Sequence, residues 1–245
     1  MGAMKGAILR VNPDCHVVDL THQVEPQNIL QAAYILKNTF SFFPPGTVHL
    51  AVVDPGVGSR RKAVAVKREG HLFVSPDNGV LSGILEGKEG ALGYEIKERK
   101  YILSPVSNTF HGRDIFAPVA GHLSLGLHPS RLGPQIQGLK TIALPRPRMV
   151  KGGLAARILW ADSFGNLITN LARWQYGREL ETRPFQIKGK GWKIDRVCRT
   201  YGEGLPGQPM ALFGSGGFLE ISVNRGNARN TLGLEPGDSI IILWR

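Results

Sequence analysis

The sequence predicts an α/β protein in which an N-terminal, mostly parallel sheet covered by helices precedes a smaller, all-β barrel domain. Three observations predict this. Apolar, strand-like runs alternate with helical segments over residues 1–140, a pattern typical of parallel sheets buried on both faces. Prolines and glycines then interrupt the chain near residue 150. Beyond them, short strands separated by turn signals follow one another, as in small barrels and sandwiches.

The N-terminal elements follow from the spacing of apolar residues. A short, mostly apolar run at residues 16–20 is followed by a turn. Apolar residues then recur at i, i+3, i+4 and i+7, which predicts an amphipathic helix after Pro26: Ile29, Ala32, Ala33 and Leu36. The remaining predicted elements are strands over residues 47–53, 63–66 and 72–74, a short helix over 80–85 and a longer helix over 115–125.

The proline-rich stretch at residues 145–148 and the glycine pair after it read as a linker. We therefore expect an N-terminal α/β domain over residues 1–145 and a C-terminal β-barrel domain over residues 152–245. The strands predicted in the second domain cover residues 156–160, 166–171, 185–188, 192–201, 210–213, 218–223 and 239–244.

Composition narrows the classes of partner. The chain has 245 residues and a formal net charge of +11, but its basic residues are scattered and no aromatic-studded basic groove is visible. We therefore expect no nucleic-acid partner; a basic RNA- or DNA-binding protein is the alternative, and it predicts salt-sensitive binding. Two cysteines far apart, no long apolar stretch and no apolar signal core at the start predict a cytoplasmic protein with no membrane association.

Three polar segments carry the candidate chemistry: residues 54–58 with two arginines close behind, residues 76–79 and residues 108–114. Asp54 follows a buried strand, and ligands of open α/β sheets bind outside the carboxyl ends of strands. His111 lies in a polar turn before a helix. A carboxylate that activates water, an arginine that orients it and a histidine that shares a proton together predict a hydrolytic site.

Other interpretations of these segments stay open. Asp77 has a strong turn signature and is interpreted as a turn former. Asp114 and Arg113 are interpreted as residues that cap and charge the start of the following helix. A metal site built from Asp54, Asp77 and His111 is a weaker alternative, because the spacing matches no standard ligand motif.

The sequence resembles the S-adenosylmethionine hydrolases, also called S-adenosylmethionine hydroxide adenosyltransferases, which are related to the fluorinases and chlorinases. Seven matching segments occur in the family's order along nearly the whole chain. They are residues 2–6, 18–22, 54–58, 76–79, 109–114, 162–166 and 219–228. The resemblance implies an α/β domain followed by a β-barrel, and a homotrimer whose active sites lie between subunits.

The implied reaction is the hydrolysis of S-adenosyl-L-methionine to adenosine and L-methionine, by attack of water on the ribose 5′ carbon. No cofactor is expected, because S-adenosylmethionine is the substrate, and no metal is expected either. Carried over by motif, the catalytic residues are Asp54, Arg61 and His111. The implied substrate-binding residues are Phe110 at the nucleoside, Asp162, Phe164, Asn166 and Ser215 at the amino-acid end, and Val223, Arg225 and Ala228 at the adenine edge.

Two further expectations concern the nucleophile and the N-terminus. The halide enzymes replace the aspartate and the histidine that match Asp54 and His111, and a carboxylate at residue 54 would repel an anionic nucleophile. Members of the family also begin with a strand and a Thr-Asp-Phe-Gly turn whose aspartate holds the ribose hydroxyls. This chain starts inside the helix that follows, so we expect a start codon placed too far downstream. A non-catalytic S-adenosylmethionine or adenosine binder is the alternative function.

Overall fold

The computed structural model describes residues 1–87 and 90–245. Within them the chain divides into two compact units, Met1–Leu144 and Pro145–Arg245. The helices of the first unit are α1 (Gly2–Val11), α2 (Ile29–Thr39), α3 (Ser82–Leu85), a π-helical turn (Gly112–Phe116) and α4 (Ala117–Ser124), with 3-10 turns at Phe40–Phe42, Arg99–Tyr101 and Pro129–Leu132. Its strands are β1 (Val48–Leu50), β2 (Ala63–Arg68), β3 (His71–Pro76), β4 (Leu92–Glu95) and β5 (Gln135–Ile136).

The sheet of the first unit is mixed, and the prediction of a mostly parallel sheet was wrong. Its strand order is β1-β3-β2-β4-β5; β1 and β3 are parallel, whereas the β2–β3, β2–β4 and β4–β5 pairs are antiparallel. Only Glu69 and Gly70 connect β2 to β3, and both have positive φ, +47° and +79°. Two such residues make a tight hairpin, whereas a parallel connection needs a dozen residues or more.

Helices pack on both faces of this sheet because β2 alternates its side chains between two cores. Val64 and Val66 face one core, which contains Phe73 and residues of α2 and α3. Ala63 and Ala65 face the other core, which contains Phe116 and residues of α4. The predicted helix at residue 29 is α2, and its N-cap, Asn28, accepts a hydrogen bond from the backbone N–H of Gln31 at 2.9 Å.

Two predicted segments of the first unit differ in the structure. The helix predicted over residues 115–125 is π-helical up to Phe116 and α-helical from Ala117 to Ser124. The apolar run at residues 16–20 forms no helix or strand, and its side chains are exposed.

α1 packs on α4 where Gly121 faces Val11 and Ile8; a Cβ added at Gly121 would lie 2.9 Å from the Cβ of Val11.

The second unit is built on one curled, nine-stranded sheet that forms a half-barrel, which is part of the predicted barrel. The strand order is β10-β9-β14-β7-β8-β13-β12-β11, with β6 paired to β7; β11 and β12 are parallel and the other pairs antiparallel. The strands are β6 (Arg148–Val150), β7 (Gly153–Ala161), β8 (Leu167–Ala172), β9 (Phe185–Gly189), β10 (Trp192–Ile194), β11 (Val197–Cys198), β12 (Pro209–Phe213), β13 (Phe218–Val223) and β14 (Ser239–Trp244).

Two helices of the second unit were not predicted, α5 (Arg173–Thr182) and α6 (Ala228–Leu232), and a 3-10 turn spans Tyr201–Glu203. A core of aliphatic residues with Phe185 joins these strands to α5 and α6, which contribute Leu180 and Ala228. Among the helices that the structure describes, none is long and apolar enough to cross a membrane.

Candidate active site

Asp54 and Arg61 are seven residues apart and meet because the chain between them turns back on itself. The N–H of Val57 donates to the carbonyl of Asp54 at 3.3 Å, and the N–H of Ser59 donates to the carbonyl of Gly56 at 3.0 Å. Arg61 then donates through Nε to both carboxylate oxygens of Asp54 at 3.0 Å, and through Nη2 to Oδ2 at 2.5 Å. Each of the two side chains is 6% exposed, so this charge pair is shielded from water.

His111 completes the group on the other side of the guanidinium. Its Nδ1 lies 2.7 Å from Nη2 of Arg61, the same nitrogen that donates to Asp54. A guanidinium has only donors, so Nδ1 must accept and carries no proton. The neutral imidazole therefore carries its proton on Nε2, which makes Nε2–H a hydrogen-bond donor.

The surroundings favour this neutral form. Burial lowers the pKa of the His111 imidazole, and the positive charge of Arg61 lowers it further, while the carboxylates of Asp54 and Asp114 oppose the shift. Phe116 helps to hold Arg61 in place, because the guanidinium carbon of Arg61 lies 5.2 Å from the centroid of the Phe116 ring. This cation–π contact and the Asp54 fork hold the guanidinium from two directions.

Backbone contacts bring together the loop that carries Asp54 and the loop that carries His111. Gly58 has φ of +77°, and a Cβ added there would lie 2.6 Å from the carbonyl oxygen of Asn108, so the loops approach as closely as glycine allows. Asn78 donates from Nδ2 to the carbonyl of Val53 at 2.8 Å, next to Asp54. Because β1 and β3 are parallel, their carboxyl ends, which lead to Asp54 and to Asn78, meet at one edge of the sheet.

Asp77 is buried, and its Oδ1 accepts the backbone N–H of Lys140 at 2.8 Å. The side chain therefore fastens a segment 63 residues further along the chain, a contact that the interpretation of Asp77 as a turn former does not account for. Among the described residues, no group of three or more histidine, cysteine, aspartate or glutamate side chains could hold a metal ion.

The segment around His111 is more highly organised than the sequence indicated. Asp114 is 1% exposed, and its carboxylate accepts from Arg113 Nε at 2.6 Å, Arg113 Nη2 at 3.0 Å and the backbone N–H of Ser107 at 2.8 Å. The guanidinium carbon of Arg113 lies 5.0 Å from the centroid of the Phe110 ring. Asp114 does lie in the first helical turn, but its side chain fastens the preceding loop and makes no capping hydrogen bond.

The predicted residues of the second unit lie on its loops. Asp162 organises the β7–β8 turn: Oδ1 accepts the backbone N–H of Phe164 at 2.9 Å and of Asn166 at 2.8 Å, and Oδ2 accepts Nδ2 of Asn166 at 2.9 Å. Phe164 is 76% exposed, so this turn presents an aromatic ring to solvent. Ser215 is exposed on the turn between β12 and β13.

The segment from Val223 to Ala228 packs beside the Asp162 turn. The N–H of Arg229 donates to the carbonyl of Gly165 at 3.0 Å, and Gly165 has no room for a Cβ against the Asn227 side chain. Val223 and Ala228 are buried in the core, so they can offer a ligand little except backbone groups, whereas Arg225 is exposed and has φ of +56°.

Sequence reasoning missed two residues near Asp162. The Tyr201 hydroxyl donates to Oε2 of Glu220 at 2.7 Å, and the Glu220 carboxylate lies against Gly214, next to Ser215. Burial raises the pKa of Glu220; the Tyr201 hydrogen bond opposes this shift and the charge of Asp162 adds to it. Burial also raises the pKa of the Tyr201 hydroxyl. The acidic position on β13 gave no signal in the sequence, because a single glutamate within a strand-like run belongs to no recognisable motif.

Comparison with known proteins places this arrangement in a family. Residues 1–133 match the family model described as SAM hydroxide adenosyltransferase N-terminal domain, and residues 156–241 match the corresponding C-terminal domain model. The chain belongs to the SAM hydroxide adenosyltransferase family. The resemblance identified from the sequence is thereby confirmed.

Individual relatives agree with this membership. A protein named (R)-S-adenosyl-L-methionine hydrolase from Thermus thermophilus is 39% identical over 250 residues, covering 99% of this chain and 94% of the relative. A fluorinase from an Actinoplanes species is more distant, at 23% identity over 270 residues. The crystal structure of an uncharacterized conserved protein from Thermotoga maritima aligns with a TM-score of 0.89 and 37% identity, covering 98% of this chain and 94% of that one.

Proposed function

We propose that this SAM hydroxide adenosyltransferase family member hydrolyses S-adenosyl-L-methionine to adenosine and L-methionine, with water attacking the ribose 5′ carbon. The observation that carries the proposal is the partly buried, continuous chain of hydrogen bonds from Asp54 through Arg61 to His111. It offers a carboxylate acceptor and an imidazole N–H donor, fixed by one shared guanidinium. The full-length relative from Thermus thermophilus is named as a hydrolase of this substrate.

Each residue has a distinct role in this proposal. Asp54 accepts a proton of the attacking water, and the Nε2–H of His111 donates to the water oxygen and directs its remaining lone pair. Arg61 holds both groups and does not contact the water. Acid–base help of this kind contributes on the order of 10²- to 10⁴-fold to the rate, and alignment of the nucleophile with the carbon contributes more.

The electron balance needs no further reactant. The oxygen of water forms a bond to the 5′ carbon, and the carbon–sulfur bond breaks with its electron pair going to sulfur. Methionine leaves as a neutral thioether, so no acid is needed to protonate it. The proton of the water passes to Asp54 and then to solvent. A halide would meet the same carboxylate as a like charge, which favours water as the nucleophile.

The substrate-binding residues are proposed with the roles that the family resemblance implies. Phe110 would contact the nucleoside, and Asp162, Phe164, Asn166 and Ser215 the amino-acid end. Val223, Arg225 and Ala228 would meet the adenine edge. The burial of Val223 and Ala228 supports a role for backbone groups there, and the exposed ring of Phe164 suits a ligand contact.

We propose further that the chain acts as a cytoplasmic homotrimer with sites shared between subunits, and that it needs no cofactor. The family resemblance supports the trimer, and the two cysteines, free in the structure, suit a reducing compartment. Light scattering of the purified chain tests the assembly: the trimer requires three times the chain mass of 26.7 kDa, and a monomer at micromolar concentration would contradict it.

Incubation with S-adenosylmethionine in ¹⁸O-labelled water, with adenosine and methionine separated by chromatography, tests the reaction. We expect one labelled oxygen in the 5′ hydroxyl of adenosine. Label in neither product, or cleavage to other products, would contradict attack at that carbon. Tight binding of S-adenosylmethionine without turnover would instead support the non-catalytic binder.

A further inference from the structure

Arg113 and Asp114 form an ion pair that the proposed chemistry does not use. Arg113 is partly exposed, and its guanidinium lies over the Phe110 ring. Asp114 is buried beneath it and receives two of its N–H groups as a fork. A surface arginine held by a buried carboxylate is pre-ordered, so it can fix an aromatic ring at little further entropic cost.

The same carboxylate fastens the loop that leads to the site. Oδ2 of Asp114 accepts the backbone N–H of Ser107, and the carbonyl of Phe110 accepts the backbone N–H groups of Arg113 and Asp114 at 3.1 Å. The backbone N–H of Leu103 donates to the carbonyl of Asp114 at 2.8 Å. These contacts close residues 107–114 into a compact turn with Phe110 and His111 in the middle.

The π-helical turn explains how one short segment can hold both Phe110 and His111. A π-helix widens the turn by one residue, and such turns occur frequently at functional sites. Here the turn directly follows His111 and carries Asp114, which faces the loop, and Phe116, whose ring supports Arg61. The guanidinium groups of Arg61 and Arg113 therefore each lie over an aromatic ring that flanks or belongs to this turn.

We propose that Arg113 and Asp114 are positioning residues that fix the Phe110 ring for the nucleoside and hold His111 in place beside Arg61. This inference rests on the proposed function in assigning Phe110 to the nucleoside. Neither residue needs to touch the reacting atoms. Their effect is expected first in nucleoside affinity, through Phe110, and then in the protonation of His111, which is within electrostatic reach of Asp114.

Arg113→Gln is the principal variant, because Arg113 is partly exposed and the change keeps an unbranched polar side chain while removing the fork and the cation–π contact. We expect the KM for S-adenosylmethionine and the Kd for adenosine each to rise about tenfold, with kcat within about threefold of the parent. Arg131→Gln, at an exposed arginine on the 3-10 turn before β5, is the matched control and should change neither. Unchanged KM and Kd in a folded Arg113→Gln variant would overturn the proposal.

Asp114→Asn tests the second half of the proposal by a readout that a purely structural role would not move. The charged groups acting on the imidazole are Arg61, Asp54 and Asp114. Removing the negative charge of Asp114 should lower the pKa of His111, measured by NMR titration of the ring, and shift the acid limb of the kcat/KM profile to lower pH. An unchanged His111 pKa, with the chain folded, would overturn it, because both the lost charge and a ring displaced from Arg61 would move that pKa.

Adenosine binding separates this inference from the proposed function. If the parent chain binds adenosine but produces none from S-adenosylmethionine, the proposed hydrolysis fails while the Arg113→Gln comparison still decides the inference. If the parent chain does not bind adenosine at all, the assignment of Phe110 fails and the inference with it.

Discussion

Arg61 donates to a carboxylate and to an imidazole through a single terminal nitrogen, and this geometry fixes the tautomer of the imidazole. The contact leaves Asp54 as the acceptor of the site and His111 as a donor through Nε2. A lysine at position 61 could not form the same fork, because its ammonium is a point charge without planar geometry.

Asp54→Asn should separate catalysis from binding. The amide keeps the shape of the carboxylate but cannot take a proton from water, so we expect kcat to fall on the order of 10²- to 10⁴-fold, with the Kd for adenosine changed less than threefold. Asp14→Asn, at an exposed aspartate of the same unit, is the matched control and should keep parental kinetics. Equal losses of turnover and of adenosine affinity would contradict the role given to Asp54.

The pH dependence should follow the neutral form of His111. Burial and Arg61 lower the pKa of this imidazole below its ordinary value of 6.5, so the active, neutral ring persists as the pH falls through 6.5 and is lost only below that. We expect kcat/KM to be flat near neutrality and to decline on the acid side at a pH below 6.5. A kcat/KM profile that already declines on the acid side above pH 6.5, with a decline that disappears in His111→Gln, would contradict the neutral state assigned to His111.

At the scale of elements, the contact between α1 and α4 depends on glycine. A Cβ at Gly121 would lie 2.9 Å from the Cβ of Val11 and 3.1 Å from the carbonyl oxygen of Ile8, so Gly121→Ala must push the helices apart. We expect the free energy of unfolding, measured in urea, to fall by about 1–3 kcal/mol.

Gly6→Ala is the opposing control within the same helix pair. Nothing lies within 4 Å of a Cβ added at Gly6 in α1, so the change only improves helix propensity and should stabilise by about 0.5–1 kcal/mol. Equal effects of the two substitutions would mean that the close approach of α1 and α4 does not limit stability.

The sequence predicted the elements well where a periodic pattern was long, and poorly where a turn decided the direction of the chain. The spacing from Ile29 to Leu36 identified α2, and most strands of the second unit lie within a residue or two of their predicted positions. The two-residue connection at Glu69 and Gly70 should have excluded a parallel β2–β3 pair. The helix α5 was missed because it is rich in charge and has few buried residues, Gly177 and Leu180.

The candidate site, too, could be predicted only in part. Asp54 and His111 could be selected because polar residues after strands and in turns are conspicuous, and the family resemblance singled out Arg61. The roles of Asn78 and Asp114 could not be predicted, because their side chains bond backbone groups 25 and 7 residues away along the chain. Such contacts depend on the folded path of the loops and leave no periodic signal.

For the whole molecule, the buried histidines make stability depend on pH. His49 Nε2 and His71 Nδ1 are 3.2 Å apart, and both rings are buried among Phe40, Phe43 and Phe73. Burial, and then the charge of His71, lowers the pKa of His49 from 6.5 to about 4. Between these values the unfolded chain binds more protons than the folded chain, so stability falls as the pH decreases from 6.5 towards 4.

We expect His49 to account for a loss of at most about 3 kcal/mol of unfolding free energy as the pH falls from 6.5 to about 4, measured by urea denaturation at several pH values. His49→Gln should remove that share of the pH dependence and leave the shares of His111 and His122, whose pKa values burial also lowers. His16→Gln, at an exposed histidine, is the matched control. A parental slope that persists in His49→Gln would refute the assignment.

The pairing of Asp54 with Arg61 also affects how charge influences the capture of the substrate. One negative side chain, one positive side chain and an uncharged ring sum to zero, so the reacting centre itself neither attracts nor repels ions at a distance. The long-range field comes instead from the formal net charge of +11, and it opposes the approach of a sulfonium compound whose own charges sum to +1. Moderate concentrations of potassium chloride screen that repulsion and should therefore speed substrate capture, the reverse of the behaviour of an enzyme steered by opposite charge.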